Sequence, residues 1–329
     1  MRRLIILVAI LTNFTLYGQS RLLKLKSPVL FKGDSVTAYR DPAILYHNKI
    51  YHLFFTLVEV EPDGKVFSYT ASSQSLNLVK WSTPVKITPR DQKLDFCSPG
   101  NVIRYNDEWI LCLQTYPRPD LYITEGMRTG DATARIFIMR SRDLKNWTSP
   151  ELMRVKGNDV PVNEMGRMID PFLVRDKDEN NKYWCFYKQR GVSMSWSNDL
   201  INWTFFGYTE SGENVCVLTE NNEYILFHSP SNGIGIKKSK DLKTWESWGE
   251  LITLGQSEWQ WARGRITAGA VINMTDVKGI GNYLMFFHGS GPLKEREGDF
   301  DKNASIGIAW SRDLQTWKWP GAGKQVDER

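Results

Sequence analysis

One seven-residue pattern recurs along the chain and constrains its fold more than any other feature. The pattern is Ser-x-Asp-Leu-x-x-Trp, and its five copies begin at Ser75, Ser141, Ser197, Ser239 and Ser311. Only the first copy deviates, with Asn77 in place of the Asp. Repeats of this kind are typical of proteins that stack several copies of one structural unit. The five copies therefore predict five units.

A predicted strand–turn–strand precedes each copy of the pattern. These segments open at Asp41, Ser98, Asp170, Glu213 and Thr267. The pieces before the turns are short and apolar, and the turns carry the Asn, Asp, Lys and Gly residues that tight hairpins need. The returning strands are rich in aromatic and aliphatic residues, as expected for strands that pack between neighbouring sheets. Each repeat therefore predicts one four-stranded antiparallel sheet.

A single sheet of this kind cannot bury both of its faces, so the repeats must pack against one another around an axis. The sequence predicts an all-β fold, a five-bladed β-propeller with four-stranded antiparallel blades around a central channel. Within each pattern we assign structural roles: the Trp anchors a corner between outer strands, and the Asp or Asn caps the turn through its side chain.

The N-terminus has the layout of a secretory signal peptide. Arg2 and Arg3 precede an apolar run that extends from Leu4 to Leu11, followed by small and polar residues near Gly18. A membrane anchor is the alternative, but the run is much shorter than the ~20 residues that cross a bilayer. We therefore predict a signal peptide over residues 1–19, a single propeller domain over 20–329, and a secreted or periplasmic protein.

Charge and cysteine content exclude some classes of function. Removal of Arg2 and Arg3 lowers the formal charge from +5 to +3, and the remaining basic residues are scattered, which argues against a nucleic-acid partner. The four cysteines lie on or beside apolar strand-like runs, which favours buried free thiols over disulfides in a chain of this size. No CxxC or Cys/His cluster indicates a zinc site, and we predict no metal ligands.

Three of the five blade openings are acidic, namely Asp41, Asp170 and Glu213. In a propeller the equivalent positions at the start of the innermost strands converge on one funnel. Like charges in a poorly solvated site repel and raise one another's pKa values, so such a cluster does not serve stability. Glycoside hydrolysis needs such a group, with one carboxyl protonated for the leaving oxygen and one ionised to activate water or attack carbon.

In several segments along its length, the chain resembles glycoside hydrolase family 43 and its five-bladed relatives. The matching segments are Arg40-Asp-Pro-Ala-Ile-Leu, Ile169-Asp-Pro-Phe-Leu-Val, Gly212-Glu-Asn-Val-Cys-Val and the five Trp patterns. The resemblance implies that Asp41 is the general base, that Asp170 tunes pKa and orientation, and that Glu213 is the general acid. The family usually shows Glu-Gly-Pro where this chain has Glu-Asn-Val, so Glu125, Glu164 and His288 are held as reserve candidates for the acid.

The resemblance also implies an O-glycosyl hydrolase that acts on a plant- or algal-type oligosaccharide or polysaccharide. We expect an inverting, exo-acting or debranching enzyme of the arabinofuranosidase, xylosidase or galactosidase kind. A retaining fructan- or sucrose-type hydrolase and a non-catalytic carbohydrate-binding propeller are the alternatives. The expected partner is a carbohydrate, with no nucleic acid and no membrane. No cofactor is expected to be required, and a structural calcium ion in the central channel is left open.

Further candidates for substrate binding lie near the blade openings. Guanidinium groups bind sugar hydroxyls or hold carboxylates, which applies to three arginines: Arg40, Arg167 and Arg265. Three aromatic residues could stack on a sugar face, namely Phe96, Trp259 and Trp261. His288 ends a predicted strand of blade five and is the last candidate. Structural ion pairs for the arginines and packing between blades for the aromatic residues explain the sequence equally well.

Overall fold

The computed structural model describes residues 22–322, so the predicted signal peptide lies outside the described residues. This part of the chain forms five antiparallel sheets, four of them built from consecutive strands and the fifth from the last four strands together with the first strand of the chain. Each sheet corresponds to one of the five sequence repeats. The prediction of an all-β, five-bladed propeller is confirmed.

The first three blades have four strands each. Blade one consists of Thr37–His47, Ile50–Val60, Val66–Ser75 and Val85–Lys86. Blade two consists of Val102–Tyr105, Glu108–Gln114, Ile136–Ser141 and Glu151–Leu152. Blade three consists of Ile169–Arg175, Tyr183–Lys188, Val192–Ser197 and Thr204–Thr209.

The last two blades complete the ring. Blade four consists of Glu213–Glu220, Glu223–Ser229, Gly235–Ser239 and Glu246–Ser247. Blade five consists of Arg265–Met274, Asn282–Ser290, Ser305–Ser311 and Trp317–Lys318, and the N-terminal strand Val29–Phe31 pairs with its third strand. Short 3₁₀ helices occupy Leu22–Lys24, Ile123–Glu125, Val162–Glu164, Gln260–Ala262 and Glu295–Glu297.

The first strand of every blade packs against the first strands of its two neighbours, including blade five against blade one. These strands therefore surround the axis. Hydrophobic clusters join adjacent blades: Phe55 and Phe286 share one, and Ile110 and Tyr187 share another. Burial of apolar surface between blades is the main force that holds such a ring together. No helix in residues 22–322 is long and apolar enough to span a bilayer.

The repeated Trp pattern forms the corner between the third and fourth strands of each blade. In blade two, Asp143 Oδ1 accepts hydrogen bonds from the N–H groups of Lys145 and Asn146 at 2.9 and 2.8 Å. In blade four, Trp245 Nε1 donates to the carbonyl of Leu242 at 3.1 Å. The structural roles predicted for the Asp and Trp are confirmed. The Leu of every copy is buried and has a positive φ, a strained conformation that the surrounding hydrogen bonds hold in place.

All four cysteines are buried free thiols, as predicted: Cys97, Cys112, Cys185 and Cys216. Burial raises the pKa of the Cys112 and Cys216 thiols to about 12, so both remain protonated at neutral pH. These residues are therefore packing elements of the blades.

Candidate active site

A cavity of about 1030 Å³ opens at one end of the propeller axis, and residues of all five blades line it. Asp41, Asp170 and Glu213 all contribute to its wall, as the sequence predicted. Asp41 and Asp170 also line a much narrower space of about 30 Å³ that continues along the axis. These two carboxyls therefore lie at the base of the cavity, where it narrows into the central channel.

The residues that occupy equivalent positions at the openings of blades four and five differ by one residue from the prediction. Each blade has a residue with positive φ in or shortly before its first strand, at Asp41, Ser98, Asp170, Asn214 and Ala268. In four of the blades, the pairing between the first and second strands shifts register at this residue. The residues equivalent to Asp41 are thus Asn214 and Ala268, and the assignment to Glu213 and Thr267 was wrong. A bulge inserts an extra residue, which sequence spacing alone does not reveal.

Hydrogen bonds from blade to blade hold these bulge residues. The N–H of Asp41 donates to His288 Nδ1 at 3.1 Å, and the N–H of Ser98 donates to Thr56 Oγ1 at 2.8 Å. The two remaining examples are Asp170 N–H to Gln114 Oε1 at 2.5 Å and Ala268 N–H to Ser229 Oγ at 2.9 Å. In each case the acceptor lies in the C-terminal half of the second strand of the preceding blade. The backbone that carries Asp41 and Asp170 is therefore positioned by neighbouring blades.

Blade four departs from this pattern. The N–H of Asn214 donates to the side chain of Asp170, at 3.2 Å from Oδ2. The residue of blade three that ends the second strand and pairs with Ile169 is Lys188. A lysine ammonium has no acceptor capacity, so it cannot take this N–H. The carboxyl of Asp170 replaces it.

The carboxylate of Asp41 is oriented by two hydroxyl groups. Thr56 Oγ1 and Ser98 Oγ each donate to Asp41 Oδ2 at 2.9 Å. The second oxygen, Oδ1, lies 3.5 Å from His288 Nδ1. The side chain is 11% exposed, and that exposed part faces the cavity. Asp41 is thus a fixed carboxylate that a molecule in the cavity can reach.

Asp170 is a buried carboxyl with a strongly raised pKa. Burial, together with the negative charges of Glu213 and Asp41, raises the pKa of Asp170 to about 8. At neutral pH this carboxyl is therefore mostly protonated. A raised pKa from burial and neighbouring carboxylates is typical of the acids of glycosidases.

Glu213 is the most accessible of the three acids, with 34% of its side chain exposed. Arg265 Nη2 lies 2.5 Å from Glu213 Oε1, and Arg265 Nη1 lies 2.7 Å from Glu295 Oε2. One guanidinium therefore connects Glu213 to a second, buried acid. This arrangement restricts the positions that the Glu213 side chain can take.

Glu295 is a site residue that the sequence reasoning missed. Its carboxylate contacts Arg40 at 3.6 Å and Arg265, and it accepts a hydrogen bond from Ser290 Oγ at 3.0 Å. Burial alone would raise the pKa of Glu295, but Arg40, His288 and Arg265 hold it well below its usual range. Glu295 lies in a charged run of the long loop between the second and third strands of blade five, which in sequence is typical of a solvated turn.

A second buried ion group borders the cavity and was also missed. Arg118 lies 2.7 Å from Asp301 and 3.2 Å from Asp95, and all three side chains are almost fully buried. Phe300, next to Asp301, stacks on Arg40, whose Cζ lies 3.8 Å from the ring centroid. These contacts connect the blade-five loop to blades one and two. No motif distinguishes Arg118 or Asp301 in the sequence.

The predicted binding residues fall into two groups. Arg40, Arg167 and Arg265 line the cavity. Phe96, Trp259 and Trp261 are not among its lining residues and pack in hydrophobic clusters. The Trp259 and Trp261 rings stack at 5.1 Å between centroids, and both also pack against Phe287. For these aromatic residues the structure favours a packing role over sugar binding, because their apolar surface lies against other hydrophobic side chains of the blades.

His288 is fully buried and lies behind Asp41. Burial lowers its pKa, so the imidazole is neutral, and Nδ1 accepts the N–H of Asp41. Its Nε2 faces Glu295 Oε1 at 3.4 Å. The two other reserve acids, Glu125 and Glu164, are exposed and are not among the residues that line the cavity.

A structural calcium ion in the central channel stays a prediction. Both ring nitrogens of His288 have protein partners. Within residues 22–322, no group of three or more His, Cys, Asp or Glu side chains is arranged to hold a metal ion.

The similarity of this chain to known proteins lies in its fold rather than in its sequence. No protein-family model matches the chain. No curated protein sequence is significantly similar to it. Several solved structures match with a probability of 1.00.

Three of these structures show what the chain is similar to. The catalytic domain of a GH62 α-L-arabinofuranosidase from Coprinopsis cinerea has a TM-score of 0.59 and 14% identity, over 86% of this chain and 94% of its own. A thermostable family-43 glycoside hydrolase has a TM-score of 0.58 and 14% identity, over 90% and 96%.

A GH43 β-xylosidase/α-arabinofuranosidase from a compost metagenome, solved with xylotriose, has a TM-score of 0.58 and 11% identity, over 90% and 97%. Identities this low establish the fold alone. The chain is a five-bladed β-propeller with the architecture of GH43 and GH62 glycosidases, and it has an acidic cavity on its axis.

Proposed function

We propose that the chain is an O-glycosyl hydrolase that cleaves a glycosidic bond in a plant- or algal-type oligosaccharide or polysaccharide. The observation that carries this proposal is the convergence of Asp41, Asp170 and Glu213 on one cavity from three different blades. Glycoside hydrolysis is the reaction that most needs several carboxyls with opposed protonation states in one site. Structural similarity to arabinofuranosidases and xylosidases supports the same class.

Asp41 has the features of a general base. Two hydroxyl groups orient its carboxylate from Oδ2, so the group is positioned before a substrate arrives. In an inverting reaction it removes a proton from the attacking water, and the water oxygen bonds to the anomeric carbon as the glycosidic C–O bond breaks. The water proton remains on Asp41 until it exchanges with solvent.

Glu213 and Asp170 together have the features of the acid. The leaving oxygen needs a proton, and at neutral pH the carboxyl that retains one is Asp170, next to Glu213. Glu213 is the more exposed of the two, so a glycosidic oxygen in the cavity can reach it. We assign proton donation to Glu213, which takes up the proton held by Asp170 and gives it to the leaving oxygen, after which the Asp170–Glu213 pair regains a proton from solvent. Arg265 holds Glu213 in place between turnovers.

An exo-acting or debranching mode agrees with the shape of the site. Asp41 and Asp170 lie where a large cavity narrows abruptly into the axial channel. A chain end or a side branch can bring its terminal sugar to this base, whereas a continuous polymer would have to bend into it. Neighbours named for such activities include an exo-1,5-α-L-arabinanase from a bovine ruminal metagenome, with a TM-score of 0.53.

The test is turnover of a panel of nitrophenyl glycosides and of plant and algal oligosaccharides by the full-length mature protein. Hydrolysis should fall about 10²–10⁴-fold in Asp41→Asn, the usual range for loss of a general base. The anomer of the first product, followed by NMR, separates inverting from retaining chemistry. A wild-type protein that binds these sugars and hydrolyses none of them is the non-catalytic propeller, and the proposal then fails.

We also propose that the protein is exported and that residues 1–19 are removed. The support is the sequence of the first 20 residues alone. N-terminal sequencing of the protein recovered from the periplasm or medium should begin near Ser20. A product that retains Met1 in the cytoplasm would contradict this proposal.

A further inference from the structure

Lys188 occupies a position that serves a different purpose in the other blades. One residue of each second strand pairs with the residue just before the bulge position: Thr56, Gln114, Lys188, Ser229 and His288. Four of them accept the N–H of the next blade's bulge residue. Lys188 cannot accept, and its side chain lines the cavity. At this position blade three therefore lacks the hydrogen bond to the next blade that the other four blades make.

The ammonium of Lys188 has no hydrogen-bond acceptor and no carboxylate partner within residues 22–322. The side chain is half-buried. A charge in a partly dehydrated site is costly unless it is paired. A lysine kept in such a place without a protein partner indicates that its partner is supplied by a ligand.

Arg167 lies beside Lys188 on the same blade. It precedes Ile169, the ladder partner of Lys188, by two residues. Gln189 Nε2 donates to the carbonyl of Arg167 at 3.0 Å, and Arg167 Nε donates to the carbonyl of Gly130 at 3.1 Å. These contacts fix the backbone and the Nε edge of Arg167. Its two Nη groups have no carboxylate within 4.0 Å in the described part of the chain.

The other buried arginines of the cavity differ in this respect. Arg40 and Arg265 contact Glu295, and Arg118 contacts Asp301. Their charges are thus compensated by the protein itself. Arg167 and Lys188 are the half-buried cations of the described cavity wall that lack such compensation.

The charge balance of the cavity is therefore positive near blade three. Glu213, Glu295 and Asp301 are each neutralised by an arginine. Of the remaining carboxyls at the base, Asp170 is mostly protonated at neutral pH because burial raises its pKa to about 8. The other lining carboxyls are Asp41 and the exposed Asp131, whose Oδ1 accepts hydrogen bonds from Thr133, whereas seven Lys and Arg side chains line the cavity. An electropositive, walled site favours a negatively charged ligand.

We propose that Arg167 and Lys188 form a subsite for an anionic substituent of the sugar, either a uronic acid carboxylate or a sulfate ester. Both groups present planar or tetrahedral oxygens that a guanidinium binds through two parallel N–H groups, while an ammonium adds a point charge. The inference rests on the proposed glycosidase function and defines its substrate class as acidic oligosaccharides. Because blade three also carries Asp170, the charged sugar lies beside the bond that is cleaved.

The experiment measures binding in Asp41→Asn, so that hydrolysis does not interfere, by isothermal titration. The probes are xylotriose, a xylo-oligosaccharide of equal length with a glucuronosyl branch, and a sulfated galacto-oligosaccharide. We expect one acidic probe to bind roughly tenfold or more tightly than its neutral counterpart at low salt, an advantage that shrinks with added salt. The probe that shows the advantage identifies carboxylate or sulfate.

Two added variants test the residues themselves. Lys188→Gln should remove most of the advantage without changing the neutral probe, and the fold should accept it because blade two carries Gln114 at this position. Arg167→Gln should act in the same direction, and Lys188→Arg should retain the preference. Lys243→Gln, an exposed lysine of the blade-four corner, is the matched control and should change nothing.

The outcomes separate this inference from the proposed function. Equal affinity for neutral and acidic probes, or a preference that survives in both Lys188→Gln and Arg167→Gln, overturns the anionic subsite. A clear acidic preference supports the subsite whether or not these probes are hydrolysed, whereas absence of hydrolysis across the full glycoside panel overturns the hydrolase proposal. Circular dichroism of each variant confirms that it is folded.

Discussion

The backbone N–H of Asn214 donates a hydrogen bond to the carboxyl of Asp170, across the boundary between blades three and four. One side chain therefore joins two blades and belongs to the acidic cluster of the cavity. In the other four blades these tasks are divided between different residues. Stability and chemistry should consequently respond to different substitutions of the same residue.

Asp170→Asn and Asp170→Ala separate the two roles. The Asn variant keeps an oxygen acceptor for the Asn214 N–H, so it should fold with at least wild-type stability but lose roughly 10²–10⁴-fold in kcat. The Ala variant leaves that partly buried N–H without its protein acceptor and should be less stable than the Asn variant by ~1–3 kcal/mol of unfolding free energy. Urea unfolding and initial rates check this prediction. Equal stability of the two variants would show that the hydrogen bond from the Asn214 N–H does not contribute to stability.

The pH dependence of stability should carry the signature of Asp170. Its pKa is raised in the folded state, to about 8, so the folded protein retains a proton that the unfolded chain loses near pH 4. Stability from this group is present at low pH and is lost as the pH rises towards 8. Asp170→Asn removes this loss, so its stability relative to wild type should increase between pH 5 and pH 8.

Denaturant unfolding of both proteins across this pH range provides the measurement. Asp313→Asn is a suitable control, because hydrogen bonds from Thr316 and neighbouring groups lower the pKa of that corner carboxyl, and its relative stability should not rise with pH. In wild type, kcat/KM should also decline above about pH 8 as Asp170 ionises. If kcat/KM does not decline in this alkaline range, Asp170 is not part of the acid pair.

Glu295→Gln should be strongly destabilising. The substitution leaves Arg40 and Arg265 without their shared buried carboxylate, and breaking a buried ion pair in this way costs about 3–5 kcal/mol. It should also lower kcat, because Arg265 loses the anchor from which it holds Glu213. The matched control is Glu61→Gln, which breaks the solvent-exposed Glu61–Arg90 pair and should cost far less stability than Glu295→Gln. Similar losses in both variants would contradict the prediction.

Trp261→Ala tests whether this aromatic residue packs or binds sugar. Its ring lies against Gly289 and Gly307, where added Cβ atoms would come within 2.8 and 2.7 Å of it. Such tight packing predicts a loss of about 3 kcal/mol or more of unfolding free energy, with KM close to wild type in the fraction that remains folded. A large rise in KM with little change in thermal stability would instead place Trp261 at the substrate.

Repetition in the sequence was sufficient to predict the number of blades and the general location of the acids. The spacing of hairpins and Trp patterns is local information, and local turn chemistry determines where each blade begins and ends. Asp41 and Asp170 could be placed because Asp-Pro marks the same point in two repeats. Glu213 was correctly placed in the cavity, although its assumed equivalence to Asp41 was wrong by one residue. A β-bulge depends on the pairing of two strands and leaves little trace in either strand alone.

The sequence by itself determined a five-blade ring and three acids near one axis, and its prediction of an N-terminal signal peptide stays a prediction. Only the tertiary structure decided that Glu295 and Arg265 restrain Glu213, that Trp259 and Trp261 belong to the packing, and that Lys188 faces the cavity without a partner. The physical reason is distance along the chain: Arg265 and Glu213 are 52 residues apart. Burial and charge pairing arise when such residues meet, and no local pattern encodes which neighbour a side chain will find.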